Sequence, residues 1–165
     1  LVVNTAFDLG NIGELSLSWN AHQYLSNEFQ TTPLSDVVDC KGVYGTSCDP
    51  VPEFRSTLRA QWMLDEFDAS LLWRHIGEMD AQANEADALF ADFRSVDAND
   101  YFDLTFGYTW NDMVRVSLLV ANVFDEDPPI LGNETGSTSF NSGNTFPSLF
   151  DTMGRVYSAN VKLSF

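Results

Sequence analysis

The sequence predicts an all-β fold, an antiparallel up-and-down sheet of the kind that closes into a transmembrane β-barrel. Three observations carry that expectation. Seven runs of the 165-residue chain alternate apolar and polar residues with period 2, as a strand between two unlike media does. The connections between those runs alternate strictly, short and then long. No run approaches the roughly 18 consecutive apolar residues that a membrane-spanning helix needs.

The first run, Leu1 to Leu9, sets Leu1, Val3, Thr5, Phe7 and Leu9 against Val2, Asn4, Ala6 and Asp8. Gly10-Asn11-Ile12-Gly13 is a short turn rich in residues that tolerate positive φ. From Glu14 to about Phe29 the alternation resumes, with Leu15, Leu17, Trp19 and Ala21 opposite Ser16, Ser18, Asn20 and His22. The two runs read as a hairpin. Residues 30–52 are a long, irregular connection holding Pro33, Pro50, Pro52 and both cysteines. The third run, Glu53 to Leu64, places Phe54, Leu58, Ala60, Trp62 and Leu64 against Arg55, Thr57, Arg59 and Gln61. Asp65-Glu66 makes a tight turn into Phe67 to Ile76, where Phe67, Ala69, Leu71 and Trp73 oppose Asp68, Ser70 and Arg74, and Leu72 interrupts the polar side.

The second long connection, 78–100, is acidic, with Arg94 its only base, and its Ala-rich middle from Ala81 to Phe93 has the composition of a short helix. Tyr101 to Trp110 is a strong strand, with Phe102, Leu104, Phe106, Tyr108 and Trp110 against Asp103, Thr105, Gly107 and Thr109. After a turn at Asn111-Asp112, Met113 to Val123 returns with Val114, Val116, Leu118 and Val120 against Arg115 and Ser117. The third long connection, 124–152, is rich in Gly, Ser, Asn and Thr and contains no base. In the last run Tyr157, Ala159, Val161, Leu163 and Phe165 share one face, and Ser158, Asn160, Lys162 and Ser164 the other.

Loops of about twenty residues are uncommon in compact soluble domains. In an up-and-down sheet, alternate connections emerge at the same end, so the three tight turns lie together and the three long loops lie opposite. That asymmetry, with amphipathic strands of about ten residues, fits an outer-membrane barrel, whose backbone groups are satisfied between strands. Trp19, Trp62, Trp73, Trp110, Tyr108 and Tyr157 lie on or near the lipid-facing side, several of them close to strand ends as aromatic girdles require. With the C-terminus periplasmic, every short turn is periplasmic and every long loop extracellular. Bacterial single-chain barrels use even strand numbers from eight upward. Seven strands therefore predict the C-terminal part of a larger barrel.

Composition excludes several classes. With 24 acids against 8 bases and a net charge of −16, the chain has the wrong sign for nucleic-acid backbones. Aromatic residues at 13% argue against disorder. The chain opens in mid-pattern, with no basic and apolar leader at Leu1. Cys40 and Cys48 stand close together in a Gly/Ser/Thr/Pro-rich stretch, where a disulfide would staple a loop in an oxidising compartment. A metal site there would need further Cys or His, and His22 and His75 lie elsewhere.

The candidate chemistry is sparse. Arg55, Arg59, Arg74 and Arg115 share the inward face with Lys162, placed to pair with Asp68, Asp103 or carboxylates of a lumen plug, or to contact substrate. The acidic 78–100 loop is a solvated surface or a focus for cations. Asp125, Glu126 and Asp127 crowd three carboxylates at a strand end, without the ligand spacing of an EF-hand. His22 faces inward and His75 lies near an upper strand end, each a lone imidazole and weak evidence for iron or haem ligation. No GxSxG or comparable constellation accompanies either histidine, so no catalytic residue and no cofactor are expected. Asn133-Glu134-Thr135 matches a glycosylation sequon, which carries no expectation in a bacterial outer membrane.

Two stretches carry a family resemblance. Asn122-Val123-Phe124-Asp125 with Pro128-Pro129, and Phe150-Asp151-Thr152-Met153-Gly154-Arg155-Val156-Tyr157 with the terminal aromatic strand, resemble the end of TonB-dependent outer-membrane receptors. The loop from Cys40 to Arg55 also looks like one of proteobacterial members. The resemblance implies a 22-stranded barrel around an N-terminal plug, importing a scarce substrate with energy passed on by the TonB-ExbB-ExbD system. Siderophore-iron, haem, cobalamin, nickel complexes and oligosaccharides are the substrate classes it brings. It also implies that Tyr157, Val161, Leu163 and Phe165 form the signal read by the barrel-assembly machinery. A passive porin-like channel and a soluble β-sheet binding domain are the alternatives.

Overall fold

The computed structural model describes residues 1–30, 32–87, 89–111, 113–132 and 144–164, leaving aside the side chains of 84 and 85. Seven strands form one antiparallel sheet: β1 (Val2–Asp8), β2 (Glu14–Gln23), β3 (Phe54–Leu64), β4 (Phe67–Ile76), β5 (Asn99–Trp110), β6 (Val114–Ala121) and β7 (Val156–Leu163). Their spatial order is their chain order, so the sheet is an up-and-down meander without crossovers. Among the described residues no helix is long and apolar enough to cross a membrane.

Register turns seven separate alternations into two continuous faces. Across the sheet, Thr5 opposes Leu17, Leu17 opposes Ala60, Ala60 opposes Leu71, and Leu71 opposes Leu104. Leu104 then opposes Val120, and Val120 opposes Tyr157. A slip of one residue at any pair would reverse one strand's faces. The tight turns hold that register. Asp65 and Asn111 sit at φ 49° and 50°, a region that Asn and Asp tolerate. Between β1 and β2, a Cβ on Gly13 (φ 93°) would lie 3.0 Å from the Met63 carbonyl carbon, so only glycine fits that turn.

Aromatic side chains bracket the apolar face. At the turn end, Phe67 stacks at 4.8 Å from Tyr108, and the Trp62 indole donates to the Ile12 carbonyl at 2.7 Å. At the loop end, the Trp73 indole donates to Asp100 at 2.7 Å, His75 shares that carboxylate at 2.9 Å, and the Trp19 indole donates to the Ser56 hydroxyl at 2.6 Å. The Trp19, Trp62 and Trp73 rings lie on the apolar face and direct their indole N–H groups toward polar partners, as residues of an interfacial belt do.

The buried core lies outside the sheet proper. It gathers Tyr44, Met79, Ala81, Leu89, Val96, Leu131, Phe146 and Phe150 from all three long loops onto Ile76 of β4 and Tyr101 of β5. The loops are thus more ordered than irregular connections imply. Val43–Tyr44 runs parallel to Met79–Ala81, which pairs with Ser95–Val96, and Glu28–Phe29 pairs with Val38–Asp39. The helix expected within 81–93 shrinks to Ala83–Ala86, because the flanking Ala81 and Leu89 are drawn into the core instead. The second alternating run likewise stops at Gln23 rather than about Phe29. The acidic 78–100 loop, solvated on composition alone, contributes Met79, Ala81, Leu89 and Val96 to the interior.

Candidate functional site

Ile76 and Tyr101 belong to the polar face of the sheet, so the loops fold over the polar side at one end of β4 and β5. Cys40 and Cys48 are joined by a disulfide in the first loop, both buried. Beside them, the Tyr44 ring meets Phe146 edge-on at 5.7 Å, and its hydroxyl donates to the Phe93 carbonyl at 2.7 Å. Burial, with the Asp80 carboxylate adding to it, pushes that hydroxyl's pKa up to about 12. Farther out, the amide N–H groups of Asn27 and Lys41 donate to Asp39 at 2.9 and 3.0 Å and hold its carboxyl below the usual range.

The motif residues of the third loop meet at its neck. The Arg155 amide donates to Asp125 at 2.7 Å, and Asn122 is fully buried with its side-chain amide exchanging two 2.9 Å bonds with the Glu126 backbone. Asn122, Asp125 and Gly154 all take positive φ there. A Cβ on Gly154 would sit 3.1 Å from the Asp125 carboxylate. Phe124 packs edge-on to Phe102 at 5.3 Å, Pro128 and Pro129 are half-buried, and Tyr157 is exposed on the apolar face. Two stretches about thirty residues apart thus close one loop. Of the three carboxylates at 125–127, Asp125 serves this neck and Glu126 accepts from the Asn99 amide at 3.5 Å, and among the described residues no group of three or more His, Cys, Asp or Glu is placed to hold a metal ion. Phe165 and the 133–135 sequon lie outside the described residues.

The four arginines do share the polar face, in two different states. Arg74 makes a bidentate pair with Asp103, both bonds 3.1 Å, lies over the Tyr101 ring at 5.0 Å, and approaches Asp151 at 3.8 Å. Asp103 also accepts the Asn122 amide at 2.9 Å, tying wall to loop neck. Arg115 pairs with Asp68 at 2.7 Å across the intervening strand, over Gly107, whose missing side chain leaves the path clear. By contrast, Arg55 and Arg59 make no ion pair among the described residues. Sequence reasoning placed all four on one face but had no signal for this division.

Comparison with solved structures identifies the architecture. Over 98% of its length the chain superposes on two mutant forms of the ferric enterobactin receptor PfeA from Pseudomonas aeruginosa, TM-score 0.63, at 14% and 15% identity. Over 97% it superposes on the copper transporter OprC, TM-score 0.51, at 17% identity. In fold, then, the seven-stranded sheet corresponds to a segment of those structures. It spans about a fifth of the length of those proteins, 21 to 22%. No protein-family model and no curated protein matches the sequence.

Proposed function

We propose that this chain is the C-terminal wall of a TonB-dependent outer-membrane receptor that imports a scarce substrate. The observation that carries this reading is the likeness in fold, over nearly the whole chain, to a ferric enterobactin receptor and a copper transporter. A sheet whose apolar face runs unbroken across seven strands, bracketed by aromatic belts, supports burial in lipid. The long loops are then extracellular and the C-terminus periplasmic. The remaining strands and a plug complete the barrel, TonB-ExbB-ExbD supplies the energy, and Tyr157, Val161, Leu163 and Phe165 guide assembly. Arg74 and Arg115 are structural, each neutralised within the wall, and Cys40–Cys48 staples the loop cover. No residue is assigned a catalytic role.

The full-length protein is expected in the outer-membrane fraction, monodisperse only in detergent. Reconstituted in planar bilayers, it should stay non-conducting, because a plug occupies its lumen. A steady open conductance would replace the receptor by a porin-like channel. Monodispersity without detergent would replace both by a soluble binding domain.

A further inference from the structure

The apolar face is not equally filled along the sheet. On it β5 carries an unbroken bulky row, Phe102, Leu104, Phe106, Tyr108 and Trp110. Across β1–β3, register instead brings small side chains together: Thr5 and Ala60 flank Leu17, and Ala21 opposes Ser56. The result is an apolar groove in two parts that meet at Trp19. Its upper part, about 460 Å³, is lined by Leu1, Trp19, Ala21, Gln23, Leu25 and Phe54. Its lower part, about 330 Å³, is lined by Val3, Thr5, Leu17, Trp19, Leu58 and Trp73. Both indoles are fixed by hydrogen bonds, Trp19 to Ser56 at 2.6 Å and Trp73 to Asp100 at 2.7 Å, so the walls are set in advance. From Gln23 down to Leu17 the groove runs about 20 Å along β2. At the roughly 40° tilt of an outer-membrane strand this is about 15 Å of depth, one leaflet's share of a roughly 30 Å hydrocarbon core. At the mouth, Gln23 donates to Glu53 at 2.9 Å, and Lys41 meets the same carboxylate at 3.6 Å. Lys41 is the only base from Tyr24 to Phe54.

We propose that this groove holds one acyl chain of lipid A, with Lys41 at its mouth meeting a lipid A phosphate. The proposal rests on the outer-membrane reading, under which the loop end lies in the outer leaflet, where lipid A is the resident lipid. Lipid tails are as apolar as the leucines around them, so escape from water does not select the occupant. Two other terms do. Fixed rings beside small side chains give a chain in the groove more van der Waals contact than the bulky surface of β5 gives. The Lys41 ammonium has three donors, and its contact with Glu53 leaves it able to reach an anionic oxygen as well. The groove's depth matches one chain in one leaflet, so the bound lipid fixes the height of the barrel in the membrane.

The test uses the full-length protein, stripped of lipid in detergent and titrated with lipid A or with phosphatidylethanolamine under native mass spectrometry. One lipid A is expected to be retained, roughly tenfold more tightly than phosphatidylethanolamine. Ala21→Phe fills the upper part of the groove and Thr5→Phe the lower. Each should weaken retention roughly tenfold, about 1.4 kcal/mol of lost packing, and two variants in separate halves keep the test decisive if one fails to fold. Lys41→Gln should narrow the preference for lipid A. Leu118→Phe, on the apolar face of β6 and away from the groove, should bind like the parent. Parent-like retention in the filling variants, or equal weakening by Leu118→Phe, would overturn the site. Equal retention of the two lipids, or a preference unchanged in Lys41→Gln, would overturn lipid A as its occupant. None of these results alters outer-membrane fractionation or bilayer conductance, so the receptor reading stands or falls separately.

Discussion

The walls built by β4–β6 and by β1–β3 present arginines on the same face, yet only the first neutralises them. Arg74 finds Asp103 diagonally across one strand boundary, and Arg115 finds Asp68 by passing over Gly107. The second wall has acids too, but Asp8 and Glu14 lie at the turn end, four residues below Arg59 on the register, and Glu53, two residues before Arg55, is engaged by Lys41 at 3.6 Å and Gln23 at 2.9 Å. Coulomb attraction between solvated charges fades over about 8–10 Å at moderate salt, so Arg59 gains little from the acids at the turn end. The loops follow the same division, packing their core on Ile76 and Tyr101 of the neutralised wall. One wall is scaffold for the loop cover; on the other, Arg55 and Arg59 make no ion pair among the described residues.

The sharpest break of this comparison pits two substitutions against each other. Asp103→Ala removes both bonds to Arg74 and the acceptor of the Asn122 amide, leaving a charge with a third of its side chain exposed. It should cost about 2–3 kcal/mol locally, read as faster hydrogen exchange at 122–126 and 150–155 in the full-length protein. Arg59→Gln on the other wall should stay within about 0.5 kcal/mol by the same measurement. Similar costs at the two sites would erase the distinction between the walls.

Gly107→Val tests a subtler feature of the neutralised wall. A Cβ at Gly107 would sit 2.7 Å from Asp68 Oδ2 and 2.8 Å from Arg115 Nη2, so the pair must part. The loss of a partly exposed pair is about 1 kcal/mol, offset in part by valine's preference for strands. A small net destabilisation by urea titration in vesicles is expected. A clear stabilisation would mean that the Arg115–Asp68 bridge contributes nothing.

How far the sequence reveals these walls follows from periodicity. Alternation alone puts Arg55, Arg59, Arg74 and Arg115 on one face and Trp19, Trp62 and Trp73 on the other, because a strand's side chains have only two directions. Which arginine meets which carboxylate depends on register between strands, which the turns set and no single run displays. The neck shows the same limit: Asn122-to-Pro129 and Phe150-to-Tyr157 are recognisable separately, but their meeting through Asp125 and the Arg155 amide is a tertiary fact. The loop core was hidden most completely. Tyr44, Leu89 and Phe146 sit in stretches without period, and only contact among three loops buries them.

Tyr44 provides the smallest effect and a way to read the loop cover alone. Its folded pKa of about 12 lies above the ordinary value of 10.0, so the fold favours the neutral phenol. The stability this adds is fully present below pH 10, and it is lost as pH rises from 10 through 12. The phenolate cannot donate to the Phe93 carbonyl, and its charge would be repelled by the Asp80 carboxylate. Proteolytic nicking of the loops should therefore rise between pH 10 and 12 with a protease active there, while the sheet persists by far-ultraviolet circular dichroism. Tyr44→Phe should weaken the cover by about 1 kcal/mol at neutral pH and flatten that alkaline step. If the step survives in Tyr44→Phe, another group controls it, and the cover does not hang on this hydroxyl.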